Sequence, residues 1–188
     1  MTPPFDVAVL VGSLRNESFT RKTARALISL APPSLRLEVV EIGQLPHYNA
    51  DLETSLPPEW VAFRRRLTAA DAMLFATPEY NRSVPGVLKN AIDIGSRPKA
   101  ENSIGNKPGA VISVSTGALG AFGANHHLRQ SLVFLDIPAM PQPEVYIGSA
   151  ATLFDAQGNL INDSTREFLR KFLVAFTEWI ERFVTRPS

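Results

Sequence analysis

Four short apolar runs, at 5–11, 73–77, 110–114 and 137–140, have the length and β-branched content of strands buried on both faces. A fifth run, 35–41, sets Leu37, Val39 and Val40 among charged residues, as an edge strand does. Between these runs apolar residues recur at helical spacing. The stretch 20–30 aligns Ala24, Leu27, Ile28 and the following Ala31 on one face, and 57–70 opens on prolines suited to a first helical turn and stacks Trp60, Phe63 and Leu67. Further helices are predicted at 85–96 and 122–135. In the last segment Ser164-x-x-Glu167 reads as a capping box, ahead of a core-facing stripe of Phe168, Leu169, Phe172, Leu173, Phe176, Trp179, Ile180 and Phe183.

Strand and helix therefore alternate five times. That order predicts a parallel sheet covered by helices on both faces, and right-handed crossovers favour a five-stranded, doubly wound α/β sheet. Neither an internal repeat nor an interdomain linker interrupts the pattern, so the 188 residues read as a single domain, 1–188.

Composition narrows the partners. Apolar residues make up 45% and charged residues 20% of the chain, which is globular composition, and a formal charge of +1 offers no basic field for nucleic acid or an anionic membrane. The apolar run near the N-terminus, 7–11, is too short for a signal peptide or a membrane span. The sequence contains no cysteine, which excludes disulfides, thiolate metal sites and a cysteine nucleophile, and fits a cytoplasmic protein.

In doubly wound sheets ligands bind outside the carboxyl ends of the strands, which directs attention to three loops. The first is Gly12-Ser13-Leu14-Arg15-Asn16-Glu17-Ser18-Phe19-Thr20. Ser13, Ser18 and Thr20 bring hydroxyls, Arg15 a fork of charged donors, and the helix start free N–H groups, a set suited to a phosphate monoester. The same residues also make an ordinary serine-capped helix with a solvated arginine. The spaced glycines of a dinucleotide fingerprint and the Gly-Lys-Ser/Thr of a Walker loop are absent.

The second loop, Thr77-Pro78-Glu79-Tyr80-Asn81-Arg82-Ser83-Val84-Pro85-Gly86, is proline-stiffened and presents a Glu-Tyr-Asn triplet, either to a flat ligand or as a plain turn before the next helix. The third, Ser115-Thr116-Gly117-Ala118-Leu119-Gly120-Ala121, is glycine-rich and offers backbone donors to a negatively charged heterocycle edge. His126 and His127 lack a carboxylate at ligand spacing and suit an interface or capping role better than a metal. His47 lies in a proline-flanked loop, 45–58, which is a candidate wall for an acceptor pocket in a neighbouring subunit. Arg82 suits either an anion contact or a solvated loop position, and Glu79 a structural hydrogen bond or an acid.

Gly12-Ser13-Leu14-Arg15-x-x-Ser18, followed by Pro78-Glu79-Tyr80-Asn81-x-Ser83-x-Pro85-Gly86-x-Leu88-Lys89-Asn90-Ala91, resembles the NADPH-dependent FMN reductase family, more narrowly its flavodoxin-like quinone and chromate reductases. The likeness runs from about Val7 to the C-terminal helix. It departs from the family at Thr20, where asparagine is common, and at Gly120-Ala121, where many relatives carry paired glycines.

The resemblance implies a flavodoxin-like fold with tightly bound FMN. It implies NADPH or NADH as donor and ping-pong transfer through the flavin to quinones or similar acceptors, such as chromate, azo compounds or free flavin. By position, Ser13, Arg15, Ser18 and Thr20 would hold the phosphate. Pro78, Glu79, Tyr80 and Asn81 would frame the ring and ribityl chain, with the backbone of 80–82 donating to the ring, and Ser115, Thr116 and Gly117 would border its other edge. It further implies a homodimer or homotetramer. The competing expectations are an electron-carrier flavodoxin that does not oxidise NADPH, and a sensor that has lost flavin. Arg15 and the near-zero net charge weigh against the carrier, whose surface is usually strongly acidic.

Overall fold

Residues along β1 (Phe5–Val11) alternate between two cores. Val7, Val9 and Val11 pack with Leu27, Phe172 and Phe176 on one face, and Ala8 and Leu10 with Trp60, Leu88 and Leu128 on the other. This strand is therefore covered on both sides, which is why it reads as an unbroken apolar run. The computed structural model describes residues 3–185; positions 1–2 and 186–188, the ends of the predicted domain, lie outside the described residues.

After β1 come α1 (Phe19–Leu30), β2 (Leu35–Val40), α2 (Pro58–Ala69), β3 (Ala72–Thr77), α3 (Gly86–Gly95), β4 (Gly109–Val114), α4 (Phe122–Phe134), β5 (Val145–Ile147) and α5 (Asp163–Glu181). The sheet order is β2-β1-β3-β4-β5 with every pair parallel. This is the flavodoxin-like doubly wound arrangement, and strand order reverses at β1/β3. β2 is an edge strand whose burial alternates, as expected from its pattern.

Two local expectations are corrected. The fifth strand is Val145–Ile147 and not 137–140, where a single bridge joins Ala139 to Gly109. Pro138 and Pro141 have no N–H to extend a ladder. The chain bulges away before pairing resumes, six residue steps from Ala139 to Val145 matching three from Gly109 to Ile112. The cap of α5 is Asn162 and not Ser164: the Asn162 side chain accepts the Thr165 N–H at 2.8 Å from an extended backbone, and Ser164 Oγ donates to the same oxygen. The α5 stripe is core from Leu169 to Ile180, but Phe183 lies past the helix and is exposed, as is Ile28 of α1.

Candidate functional site

The loops after β1, β3 and β4 meet at the carboxyl end of the sheet around a cavity of about 140 Å³. From the first loop it is lined by Ser13, Arg15, Ser18, Phe19 and Thr20; from the second by Pro78, Glu79 and Tyr80; from the third by Val114, Ser115 and Thr116. Of the residues expected from sequence, Asn81, Arg82 and Gly117 lie outside this lining. Phe19 and Val114 join it, and no polar signal in the sequence marks them. Whole small-molecule pockets run to about 300–1,000 Å³, so this cavity suits one end of a larger ligand whose remainder lies open across the rim. Tyr80 at its edge is exposed, and Leu14, Leu119 and Phe122 of the neighbouring loops are each half exposed or more. A larger groove, about 640 Å³, runs beside the start of β4 against Val133 and Phe183, away from these loops.

The first loop holds donors without partners. Ser13 and Thr20 are buried residues, yet their hydroxyls bond nothing within the described protein and face the cavity. Ser18 caps α1 by accepting the Arg21 N–H at 3.2 Å, leaving its own O–H to donate outward. The Phe19 and Thr20 N–H groups, in the first turn of α1, have no intrahelical acceptor. Neighbouring cations are engaged: Arg21 grips Glu41 through two bonds of 2.6 and 2.9 Å, and Lys22 pairs with Glu17 at 2.6 Å. The Arg21 contact holds the Glu41 carboxyl below its ordinary range and raises the guanidinium in turn. The Arg15 carbonyl accepts the Ser18 N–H at 3.2 Å, but its guanidinium makes no ion pair or hydrogen bond among the described residues. Three hydroxyls, one free guanidinium and a helix N-terminus converge on one cavity, and this donor set matches a phosphate monoester.

The second loop closes in a tight hairpin. Tyr80 and Ser83 exchange backbone bonds of 3.1 and 3.0 Å around Asn81 and Arg82, both left-handed at φ 52° and 63°. Asparagine tolerates that region; for arginine it costs about 1–2 kcal/mol, so the surroundings must hold it. Glu79 does so, pairing with Arg82 at 2.8 Å and accepting the Ala124 N–H of α4 at 2.9 Å. Ser83 Oγ bonds His127 Nδ1 at 2.8 Å. Because the Tyr80 N–H is taken by Ser83, the donors this turn keeps for a ligand are the N–H groups of Asn81 and Arg82, a narrower set than the 80–82 backbone.

The third loop is folded back on itself. Ser115 Oγ accepts the Gly117 N–H at 3.0 Å, and the Ser115 N–H reaches Ile147 of β5, which leaves Thr116 facing the cavity. Gly120 is obligatory: at φ 58°, a Cβ there would fall 2.6 Å from the Tyr146 carbonyl carbon. Ala121 follows in the same left-handed region at φ 61°.

Sequence reasoning passed over Asn90. It is buried in α3, its Oδ1 accepts the Tyr48 N–H at 2.8 Å, and its Nδ2 donates to the carbonyls of Leu45 and Pro46. With Trp60 Nε1 also bonded to Pro46 and the Tyr48 ring stacked on Trp60, the 45–58 segment is pinned to the helices, and His47 is exposed on it. A polar residue on an otherwise apolar helix face was the signal available for it. The adjacent histidines part company: His126 bonds the Tyr146 hydroxyl at 2.9 Å under the Phe122 ring, and His127 bonds Ser83. No group of three potential metal ligands occurs among the described residues.

Comparison with known proteins agrees with this geometry. Residues 5–152 match the family described as NADPH-dependent FMN reductase. The chain is 59% identical over 182 residues to a quinone reductase of Pseudomonas putida, covering 96% of this chain and 97% of that one. It is 45% identical to a 2-hydroxy-1,4-benzoquinone reductase of Burkholderia sp, covering 93% and 95%. Among solved structures, the flavoenzyme NAD(P)H:(acceptor) oxidoreductase FerB of Paracoccus denitrificans superposes with a TM-score of 0.89 at 42% identity, covering 95% of this chain and 98% of that one.

Proposed function

Because this chain belongs to the NADPH-dependent FMN reductase family, we propose that it is an FMN-dependent NAD(P)H:quinone oxidoreductase working by a ping-pong mechanism. The observation that carries the reading is the set of unpartnered donors at the carboxyl end of β1: the Ser13 and Thr20 hydroxyls and the Arg15 guanidinium. A protein that left these groups without a ligand would forgo hydrogen bonds it could have made internally.

Bound FMN supplies the two-electron chemistry between nicotinamide nucleotide and acceptor. The chain supplies position and charge. Arg15, Ser13, Ser18, Thr20 and the α1 N-terminus hold the phosphate. Pro78 and Tyr80 would wall the ring and ribityl chain, with Glu79 beside them, and the unpartnered Asn81 and Arg82 N–H groups would be available to the ring. Ser115, Thr116 and Gly117 border the opposite edge. The exposed side chains of Leu14, Tyr80, Leu119 and Phe122 give flat substrates a surface to stack on while leaving the face open. Such a face admits quinones first, and also chromate, azo compounds or free flavin. No helix among the described residues is long and apolar enough to cross a membrane. We place the enzyme in the cytoplasm, where nicotinamide nucleotides are recycled, as one domain assembling into a homodimer or homotetramer. Val133 and Phe134, each 77% exposed on α4, favour such assembly.

Steady-state oxidation of NADPH and NADH by the purified protein with a benzoquinone tests the proposal. Consumption with parallel initial-rate lines is expected. Protein that retains FMN but never oxidises either nucleotide would overturn it.

A further inference from the structure

Glu79 stands where the second and third loops meet, with a side chain only 11% exposed. One carboxylate oxygen accepts the Ala124 N–H in the first turn of α4, and the other pairs with Arg82. The carboxylate lies close against the start of α4: a Cβ on Gly123 would fall 2.9 Å from Glu79 Oε2. Arg82 is 79% exposed, yet its backbone is held left-handed at φ 63° beside the bond to Glu79. The pair therefore places a largely buried carboxylate that lines the cavity beside an exposed guanidinium, at a turn whose Asn81 and Arg82 N–H groups have no partner among the described residues. The other charged and titratable groups around it are Arg15 across the cavity, His127 bonded to Ser83, and His126 on the outer side of α4.

We propose that Glu79 and Arg82 act as a balanced charge couple that keeps the turn from biasing the bound flavin toward either oxidation state, Glu79 as a positioning residue that ties the turn to α4, and Arg82 as its counter-charge. The inference rests on FMN occupying this cavity. The reduced ring carries negative charge at neutral pH, so nearby charge of one sign or the other favours the reduced or the oxidised form. With both partners present their fields largely cancel at the ring. Removing the carboxylate alone leaves a net positive turn and favours the reduced flavin. Removing the guanidinium alone leaves a net negative turn and favours the oxidised flavin. A merely structural tie moves both variants the same way, or moves stability alone.

The test is the midpoint potential of the bound flavin in the intact protein, titrated spectrophotometrically for wild type, Glu79→Gln, Arg82→Gln and the double variant. Glutamine at 79 keeps an oxygen for the Ala124 N–H, and glutamine at 82 keeps the same backbone demand. Glu79→Gln is expected to raise the preference for reduced over oxidised flavin by about tenfold, which is about 30 mV for a two-electron couple. Arg82→Gln is expected to lower it by a similar factor, and the double variant to return near wild type. Shifts of the same sign, or no shift in either single variant, overturn the proposal. If Glu79→Gln fails to hold flavin, the sign of the Arg82→Gln shift decides alone: downward supports the couple, upward or zero overturns it. Wild-type protein that holds no FMN at all would instead overturn the cofactor reading above.

Discussion

The two ends of the sheet treat polar groups in opposite ways. At the amino end Asp6 accepts Arg66 at 2.9 Å and Arg36 at 3.1 Å, Glu38 shares Arg66, and the Asp6 N–H is taken by Asp71. Lys107 donates to the carbonyls of Thr68 and Ala70 at the exit of α2. Apart from Arg64 Nε and Arg66 Nη1 on α2, which find no acceptor, the buried side-chain polar atoms there are paired among the described residues. At the carboxyl end the side chains of Ser13, Thr20 and Arg15 are left open around a cavity, while left-handed non-glycine residues occur at both ends, Asn81, Arg82 and Ala121 here and Asn106 and Asp136 ahead of β4. Paired polar groups hold a fold together; open donors gathered round one cavity are the makings of a binding site.

The contrast can be strained hardest at Gly120, which belongs to the carboxyl end but serves the scaffold. Gly120→Ala adds a left-handed penalty and a backbone clash, and is expected to destabilise the apoprotein by about 2–5 kcal/mol in denaturant unfolding. Next is the amino end. Asp6→Ala strips a partner from both Arg66 and Arg36 and should lower stability by about 1–3 kcal/mol while leaving FMN affinity unchanged. A loss of flavin binding there would erase the division between the two ends. Ala121→Gly relieves a left-handed alanine at the price of a looser unfolded chain, a net gain of about 0.5–1 kcal/mol seen as a higher apoprotein Tm.

The smallest effect concerns pH. Burial pushes the Lys107 ammonium below its ordinary value of 10.5, with Asp71 opposing. The unfolded chain therefore binds more protons between the lowered value and 10.5, and stability rises with pH across that window. Lys107→Gln should flatten this rise in unfolding curves taken over the alkaline range; an unchanged slope would place its source elsewhere.

Four of the five strands are legible in the sequence: β1, β3 and β4 because double burial writes itself as uninterrupted apolar residues, and β2 because an edge strand alternates apolar with charged. The fifth is not: Val145–Ile147 is too short to show a period, while 137–140 is apolar for packing against β4 and not for laddering. The first loop, read by itself, is equally an anion site or a serine-capped helix; the resemblance carried by Gly12–Ser18 together with Pro78–Ala91 is what points it toward a phosphate. What stayed hidden are pairings distant in sequence, Glu79 with Ala124, Ser83 with His127 and Asn90 with Tyr48, together with a left-handed hairpin built without glycine. Local propensity has no access to contacts 42–45 residues apart.

The central claim, that the open donors after β1 exist for a phosphate, is tested most directly by comparing FMN with riboflavin, which lacks that group. Both are titrated into apoprotein of wild type and Arg15→Ala. The predicted result is a wild-type preference for FMN that falls about ten- to a hundredfold in Arg15→Ala, since a charge-assisted contact is worth about 1.5–3 kcal/mol, with riboflavin affinity unmoved. An Arg15→Ala protein that keeps the full preference for FMN would contradict it.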